Sequence, residues 1–576
     1  MKHAGTSRGN GVIAVLIHDE GPAALALLED AVLGAFRQLG IPYRVQAIGS
    51  QLSDDYFRKE ALMLAGVFFA QPGSIMRLSV SARVDLVRAV ENGLGVVAYE
   101  ACVSDLPVEI LRLAGIDPST ISSSSFTTVV TVRNDHFVTG TRVVGERVAS
   151  DRALSCSVLS SARHPVLLAS DAGDPLIHLA QASKGRFVLF PFDVRLFTLE
   201  FLGHACGLDD VFRKSILWSA RKPFVTYSMP PMAAAAIDDC SGSYNHFRWV
   251  DTMNAHGWRP NLALFTDAID EVAHENMYVD SRKLHALWDE GLADIGFHAL
   301  RYNECFCFEH LGQRTLTTQD LDERFARWDY YQKKWNIVTS PWIHPHFGEI
   351  GLAALPYFRA RGAEFITHTL PFDASWFEVP TVKAPVPPQP PYGHNGYFVS
   401  FPPECPDIMA VQCVLQKKTR ESTEFEVKAD YLWNNTVFWD EAPDTRLSEA
   451  AHTISEQVRR GIDSGFFGMT LTHEQRIACL KMGEWEELWQ EADRLLARYP
   501  LEFRRPCDIL AYLKKRNSCA LEAVEMNWTD RSVQFEFNSG EAIGTRLQLH
   551  RNAADGGIET VQHEVSARKG KLQEEP

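Results

Sequence analysis

Residues 12–17 form a short apolar run, and from 23 to 40 the apolar positions recur every three or four residues. That change of period predicts a buried strand followed by an amphipathic helix. The alternation continues with strands at 43–48, 65–70 and 95–99 and a helix at 80–92. It resumes with strands at 165–169 and 184–190 and closes on a helix at 210–220. Strands alternating with helices predict a parallel sheet covered on both faces, here a doubly wound, flavodoxin-like α/β domain over residues 11–222. Between these elements, 126–132 and 143–148 are richer in β-forming residues and predict an inserted hairpin.

Prolines in the stretch RKPFVTYSMPP, residues 221–231, interrupt the periodicity and mark a boundary. Beyond it, strands at 233–237, 262–265, 293–297, 342–344, 364–367, 397–401 and 466–471 alternate with helices at 247–255, 319–335, 353–361, 485–499 and 507–516. Leu447, Ala451, Ile454 and Val458 make one apolar stripe and predict a further helix. A run of βα units over residues 230–522 predicts a barrel related to the (β/α)₈ plan. Residues 381–392, TVKAPVPPQPPY, cannot be helix or interior strand and are read as a long loop over the barrel mouth. From 523 to 576 the pattern changes: strands at 528–537 and 545–550 and a charged, frayed end at 566–576 predict a small β-module.

A chain of 576 residues exceeds one hydrophobic core, which agrees with this division into several units. A formal net charge of −16 repels phosphate backbones and argues against nucleic acid as a partner. No run is long and apolar enough for a membrane span, and residues 1–21 lack the form of an export signal, so a cytoplasmic location is expected. The eleven cysteines form no disulfide framework. Self-association is left open.

Four short strings carry the candidate chemistry: Ile237-Asp238-Asp239-Cys240, Gly296-Phe297-His298, His344-Pro345-His346-Phe347-Gly348 and Leu471-Thr472-His473. Each ends or follows an apolar run, and in a parallel βα barrel the residues just past the strands converge on one mouth. Paired carboxylates can divide their work, one binding a divalent cation and the other accepting a proton, while a histidine protonates a leaving group. His344 and His346, two apart, would face one side of a strand. Asp-Asp pairs also cap helices, and single histidines are often ordinary core residues.

In order and spacing these strings resemble the motifs of NodB-type polysaccharide deacetylases. AIDDC stands where that family has TFDDG, DIGFH where it has its first metal histidine, HPHFG where it has a Pro-Tyr-Gly loop, and LTH where it has its last motif. The resemblance implies a distorted (β/α) barrel with Asp238 as general base, His473 as general acid, and Asp239 and His298 as ligands of a divalent metal, zinc being the expected ion. Tyr302 occupies the position of the family's second metal histidine, so His344 and His346 are the candidates to complete the ligand set. Tyr302, His368, Asp373 and Trp376 are expected to contact the sugar. The implied activity is hydrolysis of an N-acetyl group on an amino sugar or polysaccharide. A catalytically degenerate carbohydrate-binding barrel and a metal-independent glycoside hydrolase are the alternatives.

The first domain resembles the class I glutamine-amidotransferase-like fold, including its closing segment GRFVLFPFDVRLF. Active members place a nucleophilic cysteine in a glycine-flanked elbow after a central strand. Here residues 95–99 run into Glu100, Ala101 and Cys102 without the glycine pair, so Cys102 is expected to be a small buried residue and the domain non-catalytic.

Overall fold

The computed structural model describes residues 6–49, 52–140, 142–159, 165–197, 208–242, 244–267, 277–309, 314–346, 351–367, 399–400, 402, 405–411 and 446–573. The predicted 381–392 loop and the candidates His368, Asp373 and Trp376 lie outside them. The chain is a mixed α/β protein with several sheets. No described helix is long and apolar enough to cross a membrane.

The first unit is built on a six-stranded sheet in the spatial order Tyr43–Ala47, Ile13–Ile17, Gly66–Phe69, Gly95–Tyr99, Gly185–Phe190 and His178–Ala182. The first five strands are parallel, and His178–Ala182 adds an antiparallel edge. The three strands Ile13–Ile17, Gly66–Phe69 and Gly95–Tyr99 are apolar and buried throughout, as expected where helices cover both faces. Alternate residues of Ile13–Ile17 enter different cores, Ile13, Val15 and Ile17 one and Ala14 and Leu16 another. The inserted hairpin is longer than the sequence indicates, Ile121–Val132 pairing with Arg147–Leu159. Cys102 corrects an expectation: it is exposed rather than buried. Partial burial, then Asp105 and Glu100, pushes its thiol pKa up, which works against nucleophilic use at neutral pH.

The second unit centres on the Met232–Cys240 strand, all nine residues of which are buried. Four consecutive alanines have weak intrinsic strand preference, and the segment is a strand because parallel neighbours flank it, Asn261–Phe265 on one side and Gly468–His473 on the other. Ala234 and Ala236 face the core shared with the first unit, while Ala233, Ala235 and Ile237 face the second unit's own core. The strand Asp294–Ala299 lies beyond Asn261–Phe265. A second sheet holds Trp342–Ile343, Phe365–Thr367 and Met409–Val411 in parallel, with Val399–Ser400 antiparallel at its edge. The Ser340 amide donates to the Ile295 carbonyl oxygen at 2.6 Å and links the two sheets. The barrel anticipated from the βα pattern is not closed among the described residues.

The C-terminal region departs from expectation in two ways. Lys569–Gln573, anticipated as frayed, is a strand paired with Ser532–Phe537, which in turn pairs with Leu521–Asn527. Its alternating exposure hides the signal, because these positions lie at the sheet edge rather than in a core. Phe224–Thr226, within the anticipated linker, pairs with Arg546–Asn552, so the boundary segment itself completes a C-terminal sheet.

A group of buried charges fastens the first unit to the second. Arg142 binds Asp210 at 2.6 Å and Glu146 at 2.9 Å, and Glu146 also accepts from Arg459 on the helix Arg446–Asp463 at 3.1 Å. Removing one partner from such a group leaves uncompensated charge in a dry setting. Glu146→Ala is therefore expected to lower stability by about 3 kcal/mol, seen as an earlier denaturant midpoint, with Glu146→Gln intermediate.

Candidate metal centre

The central strand should place Asp238 and Asp239 on opposite faces, because side chains alternate along a strand. A bulge prevents this. Ile237 pairs with Leu262 but Cys240 with Leu264, so three steps on one strand match two on the other. Asp239 takes a left-handed backbone with φ of 55°, which aspartate tolerates better than most residues. The one-residue slip also returns Cys240 to the core that holds Ala233, Ala235 and Ile237. Both aspartates thereby reach the same imidazole: His298 Nε2 lies 3.4 Å from Asp239 Oδ1 and 3.9 Å from Asp238 Oδ2.

His298 itself sits at a second irregularity. Leu264 pairs with Phe297 and Phe265 with Ala299, leaving His298 as the extra residue. Bulges of this kind re-aim side chains at strand ends beside functional sites. His298 Nδ1 lies 2.6 Å from the His344 carbonyl oxygen. A carbonyl can only accept, so Nδ1 carries a proton and the lone pair of the neutral ring falls on Nε2.

The segment after Trp342–Ile343 supplies two more rings. His346 Nδ1 lies 3.3 Å from Asp239 Oδ1 and 2.9 Å from His298 Nε2. His344 Nε2 instead pairs with Asp238 Oδ2 at 3.2 Å. This separates two residues that the sequence treats alike: His344, anticipated as a metal ligand, faces the other aspartate. Among the described residues, Asp239, His298 and His346 form a group of three whose donor atoms could hold a metal ion, all within 4.8 Å of one another. Their mutual separations of 3.3, 3.4 and 2.9 Å approach the edges, roughly 3.3 Å, of a tetrahedron with ligand bonds of about 2.0–2.1 Å. One carboxylate and two imidazoles form a donor set of the type used in open catalytic zinc sites.

His473 pairs with Asp238 in strand register, and its charged form would act on both aspartates. It is half-buried, and its Nδ1, like Asp238 Oδ1 and His344 Nδ1, is a buried polar atom with no hydrogen-bond partner among the described residues. Phe265 packs against the rings of His298 and His346, with centroids 5.5 and 5.1 Å apart. Tyr302 lies at the rim, half exposed, 5.2 Å from the His346 ring.

Two neighbours of His473 escaped the sequence reading. Gln475 Nε2 donates to Asp239 Oδ2 at 3.0 Å. Glu474 is buried and accepts the Ser241 and Gly242 amides at 2.6 and 3.1 Å. Their position directly after Leu-Thr-His is the signal that was available.

Electrostatics follow from burial. Desolvation alone would raise the pKa of Asp238, but His344, His298 and His473 outweigh it and hold the carboxylate ionised. Desolvation of Asp239 is likewise overcome, by the neighbouring His298, His346 and His473 imidazoles, and its pKa falls well below the ordinary value. For His298, the two carboxylates overcome desolvation and raise the pKa. For His346, burial dominates despite Asp239, the His298 charge adds to it, and the pKa drops to about 4.

No family model matches the chain, and no curated protein matches it. Among solved structures, a putative ThuA-like protein from Bacteroides uniformis aligns over 38% of this chain and 97% of its own, with 10% identity and a TM-score of 0.28. A 4-α-glucanotransferase from Thermococcus litoralis covers 49% of this chain and 40% of its own, with 9% identity and a TM-score of 0.30. A β-galactosidase from Bacillus circulans covers 32% and 29%, with 13% identity and a TM-score of 0.21. The chain thus spans less than half of these two enzymes, and at such scores the alignments carry no argument about fold or activity.

The depressed pKa of His346 has a measurable consequence. Folded His346 stays neutral down to about pH 4, whereas the unfolded chain protonates it near 6.5. The unfolded state binds more protons in that window, so stability falls as pH drops through it. In chelator-treated protein, denaturation between pH 6.5 and 4 should show this loss, and His346→Asn should flatten it.

Proposed function

We propose that the second unit is a metal-dependent hydrolase that removes N-acetyl groups from an amino sugar or polysaccharide, a divergent relative of the NodB-type deacetylases. The observation that carries this reading is the convergence of Asp239, His298 and His346 beside a second, independently held carboxylate, Asp238. Asp239, His298 and His346 would hold a divalent cation, with zinc the ion favoured by the donor types. Such a cation polarises the amide carbonyl and lowers the pKa of water toward neutrality.

The protein's own groups do the rest. Asp238, held at Oδ2 by His344 and ionised, accepts the proton of the attacking water through Oδ1, the oxygen without a hydrogen-bond partner among the described residues. As the water oxygen bonds to the carbonyl carbon and the C–N bond then breaks, His473 delivers a proton to the departing amine from across the Asp238 register. Imidazole and carboxylate on either side of the reacting carbon are the acid and base that amide hydrolysis needs. Tyr302 at the rim offers an aromatic face to a sugar ring.

The reading separates the two aspartates by role, which provides its test. Asp238→Asn should retain stoichiometric zinc but lose about 10²- to 10⁴-fold in acetate release from N-acetylated oligosaccharides. Asp239→Asn should lose both metal and turnover. Wild-type protein that releases acetate without bound metal, or variants that deacetylate normally, would overturn the proposal.

A further inference from the structure

One dipeptide after the last motif touches both halves of the Asp-Asp turn. Glu474 is 2% exposed. Its Oε2 accepts the Ser241 amide at 2.6 Å, the Gly242 amide at 3.1 Å and the Ser241 hydroxyl at 3.1 Å, while Oε1 accepts from Trp249 Nε1 at 3.3 Å. These donors belong to the backbone that leaves the bulged Asp239 and to the first helix beyond it. Gln475, next in sequence, donates its side-chain amide to Asp239 Oδ2. Both residues open the short helix Glu474–Ile477 that begins directly at the end of the Gly468–His473 strand.

From this geometry we infer that Gln475 and Glu474 are positioning residues that fix how Asp239 presents itself to a cation, Gln475 setting its denticity and Glu474 its backbone. The inference rests on the metal-centre reading above. With Oδ2 occupied by Gln475, Oδ1 alone faces His298 and His346. A carboxylate restrained in this way binds through one oxygen and leaves a coordination position open for water and substrate. Without the Gln475 donor, the carboxylate is free to turn and offer both oxygens. Glu474 acts one step further back. A left-handed aspartate is a sparsely populated conformation that surrounding structure must enforce, and two amides anchored just beyond it on a buried carboxylate do so. The sequence order therefore has a reason: His473 serves the Asp238 side and the two residues after it serve Asp239.

The test is titration of chelator-stripped protein with Zn²⁺ and with Co²⁺, whose visible absorption reports coordination number. Gln475→Met keeps side-chain volume but removes the donor; Glu474→Gln keeps size but turns a donor toward Trp249. Wild type should take one equivalent of either ion. Both variants should fold, as judged by circular dichroism and the thermal midpoint of stripped protein, and bind about 10- to 100-fold more weakly. For Gln475→Met the Co²⁺ bands should also weaken, as four-coordination gives way to higher coordination, a change that a merely structural role would not produce. Wild-type affinity together with an unaltered Co²⁺ spectrum in Gln475→Met would overturn the role of Gln475. Unchanged affinity in Glu474→Gln would overturn that of Glu474, whichever way the other variant behaves. Failure of the wild type to bind an ion would instead sink the metal-centre reading, and this inference with it.

Discussion

Two carboxylates side by side and out of water are the constraint on which the rest of the second unit depends. Asp238 and Asp239 are 6% and 7% exposed, and burial of either ion costs several kcal/mol unless opposite charge or donors surround it. Like charges at this range also oppose each other, so compensation must be specific to each carboxylate. The structure divides it: His344 answers Asp238, His346 and Gln475 answer Asp239, and His298 stands between them. Phe265 walls the group with an aromatic ring, which keeps the local dielectric low and these interactions strong.

That division needs two departures from regular strand geometry. A flat strand would send Asp238 toward the core shared with the first unit, where Ala234 and Ala236 point, and Asp239 toward the other. The extra residue in the Met232–Cys240 strand and the extra residue at His298 turn three side chains to one place. Such features carry a local cost that persists only where neighbours enforce it. Here the enforcement comes from long-range contacts, Glu474 on the Ser241 and Gly242 amides and the His344 carbonyl on the His298 ring.

This geometry explains how far the sequence can be read. Apolar runs marked most strands of both units, and the polar residues just past them identified the four strings that meet at the site. The periodicity says nothing of bulges, because φ at Asp239 and the register slip at His298 arise from pairing with neighbours. It could not separate His344 from His346, since two residues two apart look equivalent until their partners are known. Glu474 and Gln475 are ordinary helix formers at a helix start, and their contacts span more than 230 residues of sequence. The strand Lys569–Gln573 was missed for the opposite reason: an edge strand in a small module has little core to impose alternation. Phe224–Thr226 was hidden by the prolines around it, which announce a boundary but not its pairing with the far end of the chain.

The tautomer of His298 couples the two aspartates to the rest of the site. Its Nδ1 must donate to the His344 carbonyl, so on the neutral ring a lone pair at Nε2 points at carboxylate oxygens, which can only accept, and at His346 Nδ1, which accepts or donates according to its tautomer. The lone pair and the carboxylate oxygens repel one another, and positive charge at Nε2 relieves that repulsion. A proton there meets the need, which is why the two carboxylates raise the pKa of this buried imidazole. On the proposed reading a divalent cation meets it better, because it also draws on Asp239 Oδ1 and on His346, which its depressed pKa keeps neutral and ready to donate. The same competition makes cation binding a proton-releasing event at His298 but not at His346. Acid should therefore weaken the centre first through His298. Asp238, bound to His344 rather than to the three donors, stays outside that exchange and keeps its charge for the work of a base.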